Sequence, residues 1–288
     1  MGDEMHTTGA CGPAGGPRTA HQAIAAFTLV LVLALAAASG ATAATSVELA
    51  TCSAAPTAAM AAGSQATVEE AGFDVSRSAS SAMLRSMYSA AALGLVERAA
   101  SERAGLRIVL FGASGVGALQ VFEGSFAPVS ADEIFNRAAA NRARCQAVAA
   151  VGKAVTARAP AAGGTDVAGT LAGLIADARG LVKAGGAANV TILTDGCQAP
   201  ASRGPNRVLT DLCGRLAHGE SAAAILRGSR SEFALGSATG VRIVMRGVGV
   251  GGDPAAANTV RARRLVAFWA LICKKARPAS CEIGSTLP

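Results

Sequence analysis

The sequence predicts an α/β protein. Its sheet is doubly wound and mostly parallel, with helices on both faces and one antiparallel edge strand. Three observations predict this. Short apolar runs, 106-LRIVLFG-112, 189-NVTILTDG-196 and 241-VRIVMRGVG-249, alternate with longer segments of helical period. The runs stay apolar at successive positions, as strands covered on both faces do. The chain of 288 residues is 51% apolar, enough for a sizeable core, although only 3% is aromatic, so the core draws on Ala, Val, Leu and Ile.

The elements follow in order. Ala66 to Phe73 reads as a short strand, and a poor one, because Glu69 and Glu70 interrupt it. Ser80 to Glu102 reads as a helix, with Leu84, Met87, Tyr88, Ala91, Leu95 and Ala99 at helical spacing and Gly105 as its stop. The LRIVLFG strand follows, and 118-ALQVFEGSF-126 is the expected edge strand. Ala131 to Val155 is the next helix. Val167, Leu171, Leu174, Ile175, Ala178, Leu181 and Val182 then trace one stripe, capped by Thr165 or Asp166 and stopped by Gly185-Gly186. After the NVTIL strand come short helices at Arg207 to Ala217 and Ser221 to Leu226, the VRIVM strand, and a final helix from Asn258 to Lys275. The expected domain covers residues 66–277, after a linker at 45–65 and before a tail at 278–288.

The first 44 residues carry export chemistry. Residues 23-AIAAFTLVLVLALAAA-38 are uncharged and apolar, with Arg18 just before them and no charge after them until Glu48. Ala41-Thr42-Ala43 fits a small-residue cleavage site. A cleaved signal peptide and a retained anchor are both compatible with the run, so the product is secreted or membrane-anchored at the cell surface. Cysteine usage agrees. Cys11 precedes the run, and six cysteines follow it, an even number suited to disulfides in an oxidising compartment. The expected pairing joins Cys197 to Cys213 and Cys273 to Cys281, leaving Cys52 for Cys145; other connectivities remain open. The chain has no Cys-x-x-Cys, which argues against structural zinc. The net charge of +7 is spread without basic clusters interleaved with aromatics, so no nucleic-acid partner is expected.

Ligands of doubly wound sheets sit at the carboxyl ends of the strands. Site chemistry is therefore expected in the post-strand loops. 112-GASGVGAL-119 has the outer glycines of a phosphate loop but Ala118 and Leu119 where its Lys and Ser/Thr belong. 247-GVGVGG-252 matches a dinucleotide fingerprint, yet Asp253-Pro254 delays the next helix and no second βαβ unit follows. A serine hydrolase would need Ser114 or another serine with His218, the one histidine after the apolar run. The remaining set is made of oxygens. Asp74, Ser76 and Ser78 follow the first strand, Thr165 opens the clearest helix, and Asp195 ends the NVTIL strand. Two carboxylates and three hydroxyls suit Mg²⁺ or Mn²⁺ better than zinc or copper.

Asp74-x-Ser76-x-Ser78, Gly-Gly-Thr165-Asp and Leu-Thr-Asp195-Gly, in that order, resemble the metal-ion-dependent adhesion site of von Willebrand factor type A (VWA) domains, a Rossmann-like fold. The resemblance spans roughly residues 66–277 and is nearest to exported bacterial members. It implies that Ser76 and Ser78 coordinate a cation through hydroxyls, that Thr165 binds directly or through water, and that Asp74 and Asp195 hold coordinated waters or bind directly. Asp166 is then an N-cap. It also implies an open coordination position for an acidic group of an extracellular or envelope protein, with no catalysis. Membrane contact is expected only through the N-terminal apolar segment. Glu69 and Glu70 stand where the resemblance expects apolar residues, and Arg77 brings a cation near the site.

Overall fold

Strand β1 (Gln65–Asp74) runs through the middle of a six-stranded sheet of order β3-β2-β1-β4-β5-β6. The computed structural model describes residues 65–76, 82–112, 118–156, 164–199, 209–250 and 259–285. Its other strands are β2 (Gly105–Phe111), β3 (Leu119–Ser125), β4 (Val182–Leu193), β5 (Val241–Arg246) and β6 (Ser280–Gly284). All pair in parallel except β3, which runs antiparallel along the edge of β2.

Strand β1 forms where the sequence places it, despite its two glutamates. The strand that reads as weakest is central, hydrogen-bonded to β2 on one side and β4 on the other. Its two glutamates point to opposite faces, as the strand period requires. Glu69 accepts hydrogen bonds from Arg98 and Asn189, which offset its burial. Glu70 is equally buried, and both its carboxyl oxygens lack a hydrogen-bond partner. Backbone pairing on both edges outweighs these side chains.

Two helical layers cover the sheet. Helices α1 (Ala82–Ser101) and α2 (Glu133–Thr156) lie on one face. There Tyr88, Leu95 and Val96 of α1 and Ala147 and Val151 of α2 pack on Phe73, Leu106, Ile108 and Leu110. Helices α3 (Val167–Leu181), α4 (Leu212–Ala217), α5 (Ala222–Gly228) and α6 (Val260–Ala276) lie on the other. Leu171, Leu174 and Ile175 of α3 and Leu265, Phe268 and Trp269 of α6 pack there on Val190, Ile192, Ile243 and Met245. Phe233 meets both Phe268 and Trp269 edge-on, so three of the few aromatics pack together under α6.

Several boundaries move from their expected places. Arg103, in the left-handed region at φ 54°, ends α1, and Gly105 instead opens β2. Helix α3 stops at Leu181, and β4 begins at once, before the paired glycines. Helix α4 starts at Leu212, behind an Asp211 cap whose carboxylate accepts from Gly214 N at 2.8 Å. Residues expected to form a tail become β6, held to β5 by backbone pairing and by Glu282, which accepts from both Arg242 and Arg246. The Cys273–Cys281 disulfide ties α6 to that strand, and Cys197–Cys213 ties the loop after β4 to α4. Cys145 is disulfide-bonded as well, and its expected partner, Cys52, lies outside the described residues. No helix among the described residues is long and apolar enough to cross a membrane; the run at 23–38 lies outside them.

Candidate functional site

The chain moves outward from β1 to β2 and β3, then crosses back to β4 on the opposite side of β1. The carboxyl ends of β1 and β4 therefore flank the point where winding reverses, and a crevice opens there. Register places Phe73 beside Leu193, so the residues that follow, Asp74 and Thr194, sit side by side.

Asp74 is fully buried and its carboxylate is held at both oxygens. Oδ1 accepts from Ser76 N at 2.9 Å, and Oδ2 accepts from the Thr194 hydroxyl at 2.7 Å. The Thr194 oxygen in turn accepts from Gly196 N at 3.0 Å, which fixes the direction of its proton toward Asp74. Asp195, also buried, accepts from Cys197 N at 2.8 Å, and its carbonyl accepts from Gly249 N at 2.7 Å. Trp269 Nε1 donates to the Gly196 carbonyl at 2.9 Å, fastening this turn to α6.

Burial first, and the neighbouring Asp195 carboxylate second, push Asp74 up to about 7, against the hydrogen bonds from Ser76 and Thr194. Tyr88 reports the same charge. Burial and then the charges of Asp74 and Asp195 push its hydroxyl well above the ordinary tyrosine value, and that buried hydroxyl has no hydrogen-bond partner.

Thr165 is buried, and its carbonyl accepts from Ala199 N at 3.1 Å. Gln198, fully buried, accepts from Ala168 N at 3.1 Å and donates to Glu232. These bonds join the start of α3 to the loop that follows Asp195. Asp166 caps α3, accepting from Gly169 N at 2.9 Å. Asp74, Ser76, Thr165 and Asp195 thus gather at one end of the sheet. Ser78 and Arg77 lie outside the described residues.

Two glycine motifs acquire packing roles. Gly112, at φ 102°, lies so close that a Cβ would sit 2.7 Å from Ser76 N and 2.8 Å from Asp74 Oδ1. It walls the site. Gly249, at φ 85°, lets the loop after β5 approach α6, where a Cβ would meet Ala262 Cβ at 2.5 Å. His218 ends α4, its Nδ1 2.7 Å from the Gly214 carbonyl; Ser114 lies outside the described residues.

The residues present fit a divalent cation. Two buried carboxylates from neighbouring strands, with hydroxyls around them, place negative charge that a cation would offset, while the nearby Tyr88 phenol stays protonated. Among the described residues no group of three or more His, Cys, Asp or Glu is placed to hold a metal, so a cation held here would draw on hydroxyls and water as well as carboxylates. Sequence reading missed Thr194, Tyr88 and Gln198. Thr194 was legible as the residue preceding Asp195 at a strand end, whereas Tyr88 and Gln198 carry no local signal.

No family profile matches the chain, and no curated protein matches it. Among solved structures it is similar to a pilus adhesin, SpaC from Lactobacillus rhamnosus GG, at 13% identity over 80% of this chain, with a TM-score of 0.38. The chain spans 30% of that adhesin's length. It is similar also to the conserved hypothetical protein BatB from Bacteroides thetaiotaomicron, at 13% identity and a TM-score of 0.31, over 76% of this chain and 91% of that one. An aerotolerance-related membrane protein from Bacteroides fragilis gives 12% identity and a TM-score of 0.27, over 75% of this chain and 90% of that one.

Proposed function

We propose that this protein binds a divalent cation, Mg²⁺ or Mn²⁺, at the carboxyl ends of β1 and β4, and through it an acidic group of an extracellular or envelope protein. The reading follows the resemblance of the site's three motifs to the adhesion site of VWA domains. It is carried by one observation: the Asp74 and Asp195 carboxylates are both buried at the ends of neighbouring strands, where burial first and Asp195 second raise Asp74. In this reading Ser76, Ser78 and Thr165 supply neutral oxygens, and Asp74 and Asp195 supply the charge. Thr194 and Ser76 N hold the Asp74 carboxylate in place. A bound cation supplies a Lewis-acidic position for a carboxylate from outside. The few charges around it leave that position receptive to an anion.

The disulfides Cys197–Cys213 and Cys273–Cys281 support an oxidising, extracytoplasmic setting. The test is thermal unfolding of the full chain with EDTA, Mg²⁺ and Mn²⁺ in turn. A ligand that binds the native state raises the melting temperature with its concentration. A cation-dependent rise is expected in the wild type and not in Asp74→Asn. No rise with either cation would leave a structural domain without metal as the better reading.

A further inference from the structure

The first N–H groups of a helix have no partner within it. In α3 the cap residue Asp166 satisfies Gly169 N with its side chain at 2.9 Å, and its carbonyl accepts from Thr170 N at 3.1 Å. The N–H of Ala168 is satisfied from outside the helix. It donates to Gln198 Oε1 at 3.1 Å, across 30 residues of sequence, and both residues are buried.

The Gln198 amide is fixed in this orientation. Its Nε2 donates to the Glu232 carboxylate, which also accepts from Thr210 N and from the Thr210 hydroxyl, each at 2.7 Å. A reversed amide would set its carbonyl against that carboxylate and its N–H groups against Ala168 N. The backbone of Gln198 is held as well, because Leu212 N donates to its carbonyl at 3.1 Å. Thr165 lies three residues before Ala168, and Asp195 lies three before Gln198. The Gln198–Ala168 bond, with the bond from Ala199 N to the Thr165 carbonyl at 3.1 Å, therefore cross-links the two segments that carry Thr165 and Asp195.

We infer that Gln198 is a positioning residue, which fixes the separation of Thr165 from Asp195 and so makes the site select Mg²⁺ over Ca²⁺. The inference rests on the cation site proposed above. Its reason is geometric. Mg²⁺ takes oxygens at about 2.0–2.1 Å in a nearly ideal octahedron, so adjacent ligand oxygens stand about 3 Å apart with little tolerance. Ca²⁺ takes about six to eight oxygens at about 2.3–2.6 Å in a flexible shell. Segments cross-linked beside their ligands hold the tighter spacing. Segments free to part by about 0.5 Å lose it and still suit the larger ion.

The experiment measures Mg²⁺ and Ca²⁺ affinities of the full chain by titration calorimetry, at a temperature where every variant is folded. Gln198→Met keeps the length of the side chain and neither of its hydrogen bonds. It is expected to lower Mg²⁺ affinity about tenfold or more and Ca²⁺ affinity by less than about threefold. Thr210→Val removes the hydroxyl on the far side of Glu232 and leaves the Gln198–Ala168 bond in place. It is expected to lower the melting temperature with the ratio of the two affinities unchanged. Gln198→Asn is one methylene too short to reach Ala168 N and Glu232 together, and it serves should Gln198→Met fail to melt cooperatively. Amide hydrogen exchange in EDTA reads the cross-link without metal, and Ala168 is expected to exchange at least about tenfold faster in Gln198→Met. A wild type that binds neither cation overturns the proposed function and this inference with it. A wild type that binds cations without preferring Mg²⁺, a Gln198→Met variant that keeps the preference, or unchanged exchange at Ala168 overturns this inference alone.

Discussion

Glu70 is the residue most at odds with its surroundings. It is buried in the central strand with neither carboxyl oxygen hydrogen-bonded. Burial pushes it up to about 8, against the partial relief of Arg107, whose Nη1 is committed to Asp177 at 2.5 Å. A carboxyl whose folded pKa lies above its unfolded one destabilises the fold when it ionises. Its favourable contribution is therefore complete below about pH 4.5, falls as pH rises, and is lost above about pH 8. Glu70→Gln removes the titration. It is expected to stabilise by about 1–2 kcal/mol at pH 8 and to change little at pH 5, part of the gain being offset by a buried amide. Urea melts at the two pH values test this, and equal effects at both would refute it. Thr194→Val addresses the site instead. It deletes the hydroxyl bonded to Asp74 Oδ2 and is expected to cost about 1–3 kcal/mol, since a buried carboxylate loses a partner. If the proposed function holds, the same variant weakens the cation-induced rise in melting temperature. Asp74, Ser76 and Asp195 were legible as candidates because they sit at or just after strand ends, and Thr165 because it opens α3. Glu70 was legible only as an anomaly, since sequence shows a glutamate in a strand but not what lies over it.

Among the elements, the loops after β2 and β5 decide how closely the site is built. Gly112→Ala would press a Cβ on Ser76 N and the Asp74 carboxylate at a φ that L residues avoid. The backbone strain alone costs about 1–3 kcal/mol. A cation affinity lowered more than stability predicts is expected, read by titrating Mg²⁺ at a temperature where the variant is fully folded. Gly240→Ala, also at a left-handed φ of 81° but in the turn before β5 at the other end of the sheet, is expected to destabilise without that selective loss. The pair separates site geometry from general packing. Helix α3 was legible almost to its ends, because its apolar stripe and Asp166 cap are local signals. Strand β6 was not, because 280-SCEIG-284 has neither length nor apolar period, and pairing with β5 makes it a strand.

Over the whole molecule, disulfides connect the site to the rest of the fold. Cys197 N holds Asp195, and Cys197 is bonded to Cys213 across 16 residues. Replacing both cysteines by serine is expected to cost about 3 kcal/mol on the loop-closure argument and to weaken cation binding. The Cys273–Cys281 disulfide closes a loop of 8 residues that makes no contact with the aspartates; replacing both cysteines by serine is expected to cost about 2–3 kcal/mol with cation binding retained. Melting curves with and without Mg²⁺ distinguish the two. The sequence by itself determined the fold class, the four longer helical segments, and the oxygen-bearing side chains that gather near strand ends. These depend on local periodicity and on the chemistry of neighbouring residues. Tertiary structure alone decided how the two strand glutamates are accommodated, that a tail becomes an edge strand, that Tyr88 lies within the field of the two aspartates, and that Gln198 ties the start of α3 to the loop after Asp195. Those outcomes depend on contacts between residues far apart in the chain, where backbone pairing and burial outweigh local preference.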